Sequence, residues 1–163
     1  MKKILFSFFL LFTLFFAQKA EAQSWDRAIG LRLGFPISIT YKQFISEKAA
    51  IEGILGTRGF VGFRTTTLAG AYLIHNVLLD DDFGELRWYF GGGGSLNLSS
   101  YNTLFVRDAG RFAIGAQGYI GVDYTFNGAP INLSLDWVPT FLFLGNQDGF
   151  SGEYGGLAIR YIF

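Results

Sequence analysis

From Arg111 to Phe126 the chain alternates without interruption: Phe112, Ile114, Ala116, Gly118, Ile120, Val122, Tyr124 and Phe126 fall on one parity, Arg111, Ala113, Gly115, Gln117, Tyr119, Gly121, Asp123 and Thr125 on the other. A period of two sends successive side chains to opposite faces of an extended strand, so one face is apolar and the other polar or small. The same split recurs where Leu86, Trp88, Phe90, Leu96 and Leu98 oppose Arg87, Tyr89, Gly91, Gly93, Ser95 and Asn97. It returns where Ile131, Leu133, Leu135, Trp137 and Phe141 oppose Asn132, Ser134, Asp136 and Thr140. Strands of soluble proteins average ~5–6 residues, whereas strands that cross a bilayer need ~9–11. The three segments match the second length. Their polar faces carry Arg, Asp and Gln beside glycine rather than a solvated row of Lys and Glu. The pattern predicts an enclosed polar face and an apolar face turned to lipid.

The beginning of the chain has a different grammar. Lys2 and Lys3 form a positive n-region, Ile4 to Ala17 is apolar apart from Ser7 and Thr13, and Ala20-Glu21-Ala22 is an A-x-A-like cleavage site. The apolar run falls short of the ~20 residues of a comfortable span. Residues 1–22 are therefore predicted to be a cleaved secretory signal peptide, and residues 23–163 one domain. Loss of Lys2, Lys3, Lys19 and Glu21 from 13 basic and 13 acidic residues leaves a slightly acidic remainder, so no basic nucleic-acid footprint is present. With no cysteine, neither disulfides nor thiolate metal sites contribute. No cofactor is expected.

Eight segments follow from the alternation: Trp25 to Phe35, Ile37 to Ile45, Ala50 to Phe60, Thr66 to Asn76, Leu86 to Leu98, Arg111 to Phe126, Ile131 to Phe143 and Glu153 to Phe163. Turn chemistry separates them: Pro36, Ser46-Glu47-Lys48, Asp80-Asp81-Asp82 with Gly84, Asn127-Gly128, and Gly145 to Gly149. The prediction is an all-β protein, an eight-stranded antiparallel up-and-down transmembrane β-barrel of the outer membrane. An even strand number puts both termini on the periplasmic side. Ser99 to Gly110 and Leu144 to Gly152 then become external loops, while Asn127 to Pro130 is a short periplasmic turn. Val77 to Glu85 is long for a connection on that side. Outward Trp88, Tyr124, Phe126, Tyr161 and Phe163 are expected to ring the periplasmic boundary, and Phe35, Phe112, Phe141 and Phe143 the outer one. A lipid-facing stripe on every strand suggests a monomer among outer-membrane lipids.

Several blocks carry a resemblance: Gly30-Leu31-Arg32-Leu33-Gly34, Ile39-Thr40-Tyr41-Lys42 running into Ile45-Ser46-Glu47-Lys48, Ile51-Glu52-Gly53-Ile54-Leu55-Gly56, and Pro130 to Trp137. Together they resemble small bacterial outer-membrane β-barrel proteins of unassigned function, and more distantly the eight-stranded barrels of the OmpA/OmpX type. The resemblance implies fold and location, and it implies that the terminal stripe Ile159, Tyr161 and Phe163 is the signal engaged by the barrel assembly machinery during biogenesis.

The enclosed faces collect Arg32, Lys42, Glu52, Arg58, Arg87, Arg111, Asp123, Asp136, Glu153 and Arg160. An eight-stranded barrel is just wide enough to be filled by side chains, and an ion taken into a low-dielectric space needs a partner. Arg32, Arg87 and Arg160 are expected to pair with Glu52, Asp123 and Asp136, with Arg58 in the same lumen network, as a polar plug. The role that fits is structural or surface-interacting, without catalysis. The alternative is small-molecule binding or narrow-pore transport through the same lumen, and further off stand a lipid A-modifying enzyme and a soluble lipocalin-like carrier. Barrel enzymes of this size need a histidine near the outer leaflet with a nucleophile or carboxylate beside it. The single histidine, His75, is placed by the predicted topology near the periplasmic end, with no serine close in sequence. A metal site is not expected from one histidine and no cysteine. Gly91 to Gly94 lacks the lysine and helix of a phosphate loop and is expected to be a curved stretch of strand.

Overall fold

The computed structural model describes residues 25–163 apart from 61–62, 104–105, 108–110 and 146–148. The predicted signal peptide and its cleavage site, and parts of both long loops, lie outside the described residues. The strands are β1 (Arg27–Phe35), β2 (Ile37–Phe44), β3 (Ala49–Phe60), β4 (Phe63–Asp80), β5 (Gly84–Thr103), β6 (Val106–Arg107), β7 (Arg111–Phe126), β8 (Ile131–Trp137), β9 (Thr140–Gly145), β10 (Gly149–Ser151) and β11 (Gly155–Ile162). From β1 to β5 each strand is antiparallel to the next. β5 then pairs with β7, β7 with both β8 and β9, β8 with β11, and β11 returns to β1 through Ala28–Ile162 to Phe35–Gly155. That last ladder closes an eight-stranded antiparallel barrel. Closure leaves no sheet edge to be satisfied.

The extra strand labels have simple causes. β8 and β9 are one stave interrupted at Val138-Pro139, where proline has no N–H for the ladder. Its carbonyl still accepts from Gly118 N–H at 2.9 Å, and Val138 N–H donates to Tyr154 C=O at 2.9 Å, so the stave keeps its parity across the break. β6 and β10 are short extensions paired only to the far ends of β5 and β9.

Strands β4 and β5 outrun the sequence expectation at both ends: β4 begins at Phe63 rather than Thr66, and β5 continues to Thr103, so the first residues of the expected external loop Ser99 to Gly110 are strand. β4 runs on to Asp80 and β5 starts at Gly84, so most of the Val77 to Glu85 connection is strand, with a bulge between Val77 and Leu79. The remaining turn is built by Asp81, whose carboxylate accepts from Phe83 and Gly84 N–H at 2.9 and 3.0 Å. Gly91 to Gly94 lies inside β5.

Parity sorts the side chains. Leu31, Leu68 and Leu135 face outward at 60, 57 and 58% exposure, whereas inward Lys42 and Arg160 are 0 and 1% exposed. Trp88, Phe126, Phe112 and Phe141 are outward and exposed and Tyr124 is half-buried; Trp88 stacks on Phe90 at 5.4 Å, and Tyr124 meets Phe126 edge-on at 4.8 Å. Ile159, Tyr161 and Phe163 also face out. Phe35 departs from the expected outer ring: its ring lies against inward Arg58 and buried Tyr154. The strand ends there, next to Pro36.

Candidate functional site: the polar lumen

The half of the lumen nearest the termini is an ion lattice. Glu52 on β3 accepts from Thr40 Oγ1 of β2 and from Arg160 Nη2 of β11, the latter at 2.5 Å. Arg160 spreads its other nitrogen to Ser134 Oγ at 2.6 Å and Asn132 Oδ1 at 3.2 Å. One guanidinium thereby ties β11 to β8 beside it and to β3 across the lumen. Lys42 Nζ sits between Glu52 at 3.6 Å and Asp123 at 3.4 Å, over the Tyr89 ring at 4.4 Å. A second ion pair joins Arg32 of β1 to Asp136 of β8, and Asp136 also accepts from Tyr89 O–H at 2.9 Å. Gly121 makes room for that tyrosine, because a Cβ there would lie 2.7 Å from Tyr89 Cζ and 2.6 Å from the Leu135 carbonyl. Glycine is required at this close approach.

Toward the terminal end the lattice meets aromatic rings. His75 Nε2 lies 3.3 Å from Asp123 Oδ2 and 3.5 Å from Lys42 Nζ, with its ring between Phe44 at 4.8 Å and Tyr89 at 5.0 Å. Trp25 packs edge-on against Phe44 at 4.7 Å and donates to Thr125 Oγ1 at 3.0 Å, which caps this end.

The opposite half has a different chemistry. Thr65 and Ser99 share a hydrogen bond of 2.9 Å, Thr67 donates to Asn97 at 2.7 Å, Gln117 to Thr140 at 3.0 Å and Tyr119 to Gln117 at 2.9 Å. Between the halves, Ile54, Ala69, Ala71, Leu73, Tyr89, Tyr119, Val138 and Tyr154 pack as an apolar cluster.

Of the predicted lumen residues, Arg32, Glu52, Asp123, Asp136 and Arg160 come together as described. Arg87 pairs elsewhere: its acid is Glu85, two residues back on its own strand, at 2.7 Å, while Asp123 serves Lys42 and His75. Arg58 lies apart, half-buried between the Phe35 and Tyr154 rings at 4.7 and 5.5 Å. Arg111 and Glu153 are exposed and outside the packed interior. Glu85 was left out because the alternation was cut at Leu86, and carrying the Arg87 parity back places it inward; His75 lies within the Thr66 to Asn76 segment on the parity of buried Thr67 and Leu73, but was not counted with the lumen ions. Among the described residues no group of three His, Cys, Asp or Glu side chains could hold a metal ion.

No protein-family model and no curated protein matches the chain. Among solved structures it is similar to Ail, the attachment invasion locus protein of Yersinia pestis, with a TM-score of 0.41 and 16% identity over 84% of this chain and 93% of that one.

Proposed function

We propose that this chain is an outer-membrane barrel with both termini in the periplasm, a lumen sealed by its ion lattice, and a structural or surface-interaction role carried by the loops at the far end, without catalysis. What supports the membrane is the wall itself: exposed Leu, Ile and Phe side chains run round every stave, far beyond the few-hundred-Å² patches that soluble monomers tolerate. What supports a sealed lumen is the burial of Lys42, Thr40, His75, Asn132 and Arg160, which leaves no water-sized space against them. The chain's one histidine is locked into that lattice, so it has no free face for a substrate.

Planar-bilayer recording of the refolded mature protein tests the seal: no steady conductance is expected, and a stable open channel would replace this reading with transport. Assembly tests the address. Deleting Phe163, or Tyr161→Asp, should sharply reduce heat-modifiable protein in the outer membrane, and unchanged assembly would count against a terminal recognition stripe. The partners on this reading are the assembly machinery and outer-membrane lipids, with the barrel acting as a monomer.

A further inference from the structure

The sequence contains one Asn-Gly step, Asn127-Gly128, and the fold leaves it in the turn between β7 and β8 with both residues exposed. Such a step carries its own chemistry. The side-chain carbonyl carbon of asparagine lies within reach of the next main-chain nitrogen, and closure to a cyclic imide needs that nitrogen unshielded and free to turn. Glycine supplies both, since it has no Cβ and wide φ/ψ freedom. Around Gly128 there is open space, because even an added Cβ would meet nothing within 4 Å. Among the described residues no backbone acceptor holds its N–H. Asn76, Asn97 and Asn132 lie instead inside β4, β5 and β8, where the ladder fixes the backbone, and they precede bulky Val77, Leu98 and Leu133. The Asn127 side chain also has a structural task. Its Nδ2 donates to the Asp81 carbonyl at 2.9 Å and to the Asp82 carbonyl at 3.5 Å, and its main-chain N–H donates to the Phe83 carbonyl at 3.0 Å. Only the nitrogen end of an amide serves two carbonyl oxygens, so its partners fix its orientation. Asn127 thus clasps the turn that joins β4 to β5, a segment carrying the exposed acids Asp80, Asp81 and Asp82.

We propose that Asn127 is a self-modification site: it deamidates through a cyclic imide, and the carboxylate that replaces its amide opens the clasp between the two turns. The Gly128 nitrogen, its proton taken by base, attacks Asn127 Cγ. The N–Cγ bond forms and the Cγ–Nδ2 bond breaks, the nitrogen leaving as ammonia. Water then opens the imide at one of its two carbonyls. Opening at Cγ restores the ordinary main chain with aspartate, and opening at the main-chain carbonyl leaves isoaspartate, with an extra methylene in the backbone. One water is consumed and one ammonia released, with no oxidation or reduction. Either product exchanges a donor for a carboxylate, which only accepts. The Asp81 and Asp82 carbonyls lose their donor, and the acids of the segment gain a like charge. The reaction needs only water and an exposed turn, so it holds whichever side of a membrane that turn faces and does not rest on the sealed lumen.

The test is incubation of the folded mature protein in detergent micelles at neutral and mildly alkaline pH, followed by peptide mass spectrometry. The peptide containing Asn127 should gain the mass of an amide-to-acid conversion, faster as hydroxide rises, and electron-transfer fragmentation should show aspartate and isoaspartate together. Peptides containing Asn97 and Asn132 should stay unchanged over the same period. Gly128→Ala should slow the conversion severalfold or more, since a Cβ shields the nitrogen, and the open space around Gly128 lets the barrel accept it. Hydrogen exchange reads the consequence. The Phe83 and Gly84 amides, which donate to the Asp81 carboxylate inside the clasped turn, should exchange severalfold faster in Asn127→Asp than in the wild type. Retained heat-modifiable migration confirms that each variant is folded. Absence of conversion at Asn127, or an equal rate in Gly128→Ala, would overturn the modification site, and equal exchange in Asn127→Asp and wild type would overturn the opened clasp.

Discussion

The two halves of the lumen are built on the same staves, yet they satisfy their polar groups in opposite ways. Near the termini, four strands send ions across the barrel: Arg160 reaches Glu52 from β11 to β3, and Arg32 reaches Asp136 from β1 to β8. Near the far mouth, neutral side chains bond mainly to a neighbour on the adjacent strand, Thr65 with Ser99 and Thr67 with Asn97. The cross-lumen bonds span over a hundred residues of sequence, as in the separation of 108 between Glu52 and Arg160, whereas Thr67 and Asn97 are 30 apart. Ions act as tie rods that fix distant staves, and hydroxyl pairs act only between neighbours. The difference follows from reach and strength. A long guanidinium can cross a narrow barrel and, once desolvated, demands a partner, while a short hydroxyl finds its partner on the same wall.

The largest effect should come from breaking one tie rod. Glu52→Gln leaves Arg160 and Lys42 buried without their shared carboxylate, and removal of one partner from a buried pair costs ~3–5 kcal/mol. The expected observation is a marked fall in the urea midpoint of the protein folded in lipid vesicles. Glu52→Gln combined with Arg160→Met should cost less than the worse single change, because the stranded charge is then gone. If the double variant were simply additive, the ions would be acting separately and the tie-rod picture would fail.

An intermediate effect is expected at Gly121, where β7 passes beneath Tyr89. Gly121→Ala adds a methyl group that collides with the Leu135 carbonyl and pushes the phenol away from Asp136. Overpacking of this kind costs ~1–3 kcal/mol. The same change at Gly53, whose added Cβ meets nothing within 4 Å, should be nearly silent. Equal urea midpoints for both variants would show that the Tyr89–Asp136 bond does not anchor the Arg32 pair.

Much of this was legible before any coordinates. Period-two alternation assigned Arg32, Glu52, Asp123, Asp136 and Arg160 to the interior and Leu135, Phe112 and Ile120 to the wall, because face follows from parity alone. Pairing was not legible. Whether Asp123 meets Arg87, its register neighbour, or Lys42 from β2 depends on how side chains lean across the lumen, and that is set by barrel closure rather than by any one strand. Strand ends were also hidden: Val77, Leu78 and Leu79 break the alternation at a bulge, so β4 outruns its pattern. Phe35 obeys a local rule instead, since at the end of β1 its ring gains more from Arg58 and Tyr154 than parity would give it.

The smallest effect should come from the hydroxyl half. Thr67→Val preserves shape and β-propensity but leaves Asn97 Oδ1 without its donor at a fully buried position. A neutral hydrogen bond contributes ~0.5–1.5 kcal/mol net, and the Asn97 amide stays in place through Nδ2, which donates to Ser95 Oγ at 3.4 Å. The bond joins β4 to β5, which already share the longest ladder in the barrel. Thr67→Val should therefore lower the urea midpoint slightly and leave hydrogen exchange on β11 unchanged, whereas Glu52→Gln should accelerate exchange on β11 as well as β3. Faster β11 exchange in Thr67→Val would mean that the far half also couples distant staves, and the contrast between the two halves would dissolve.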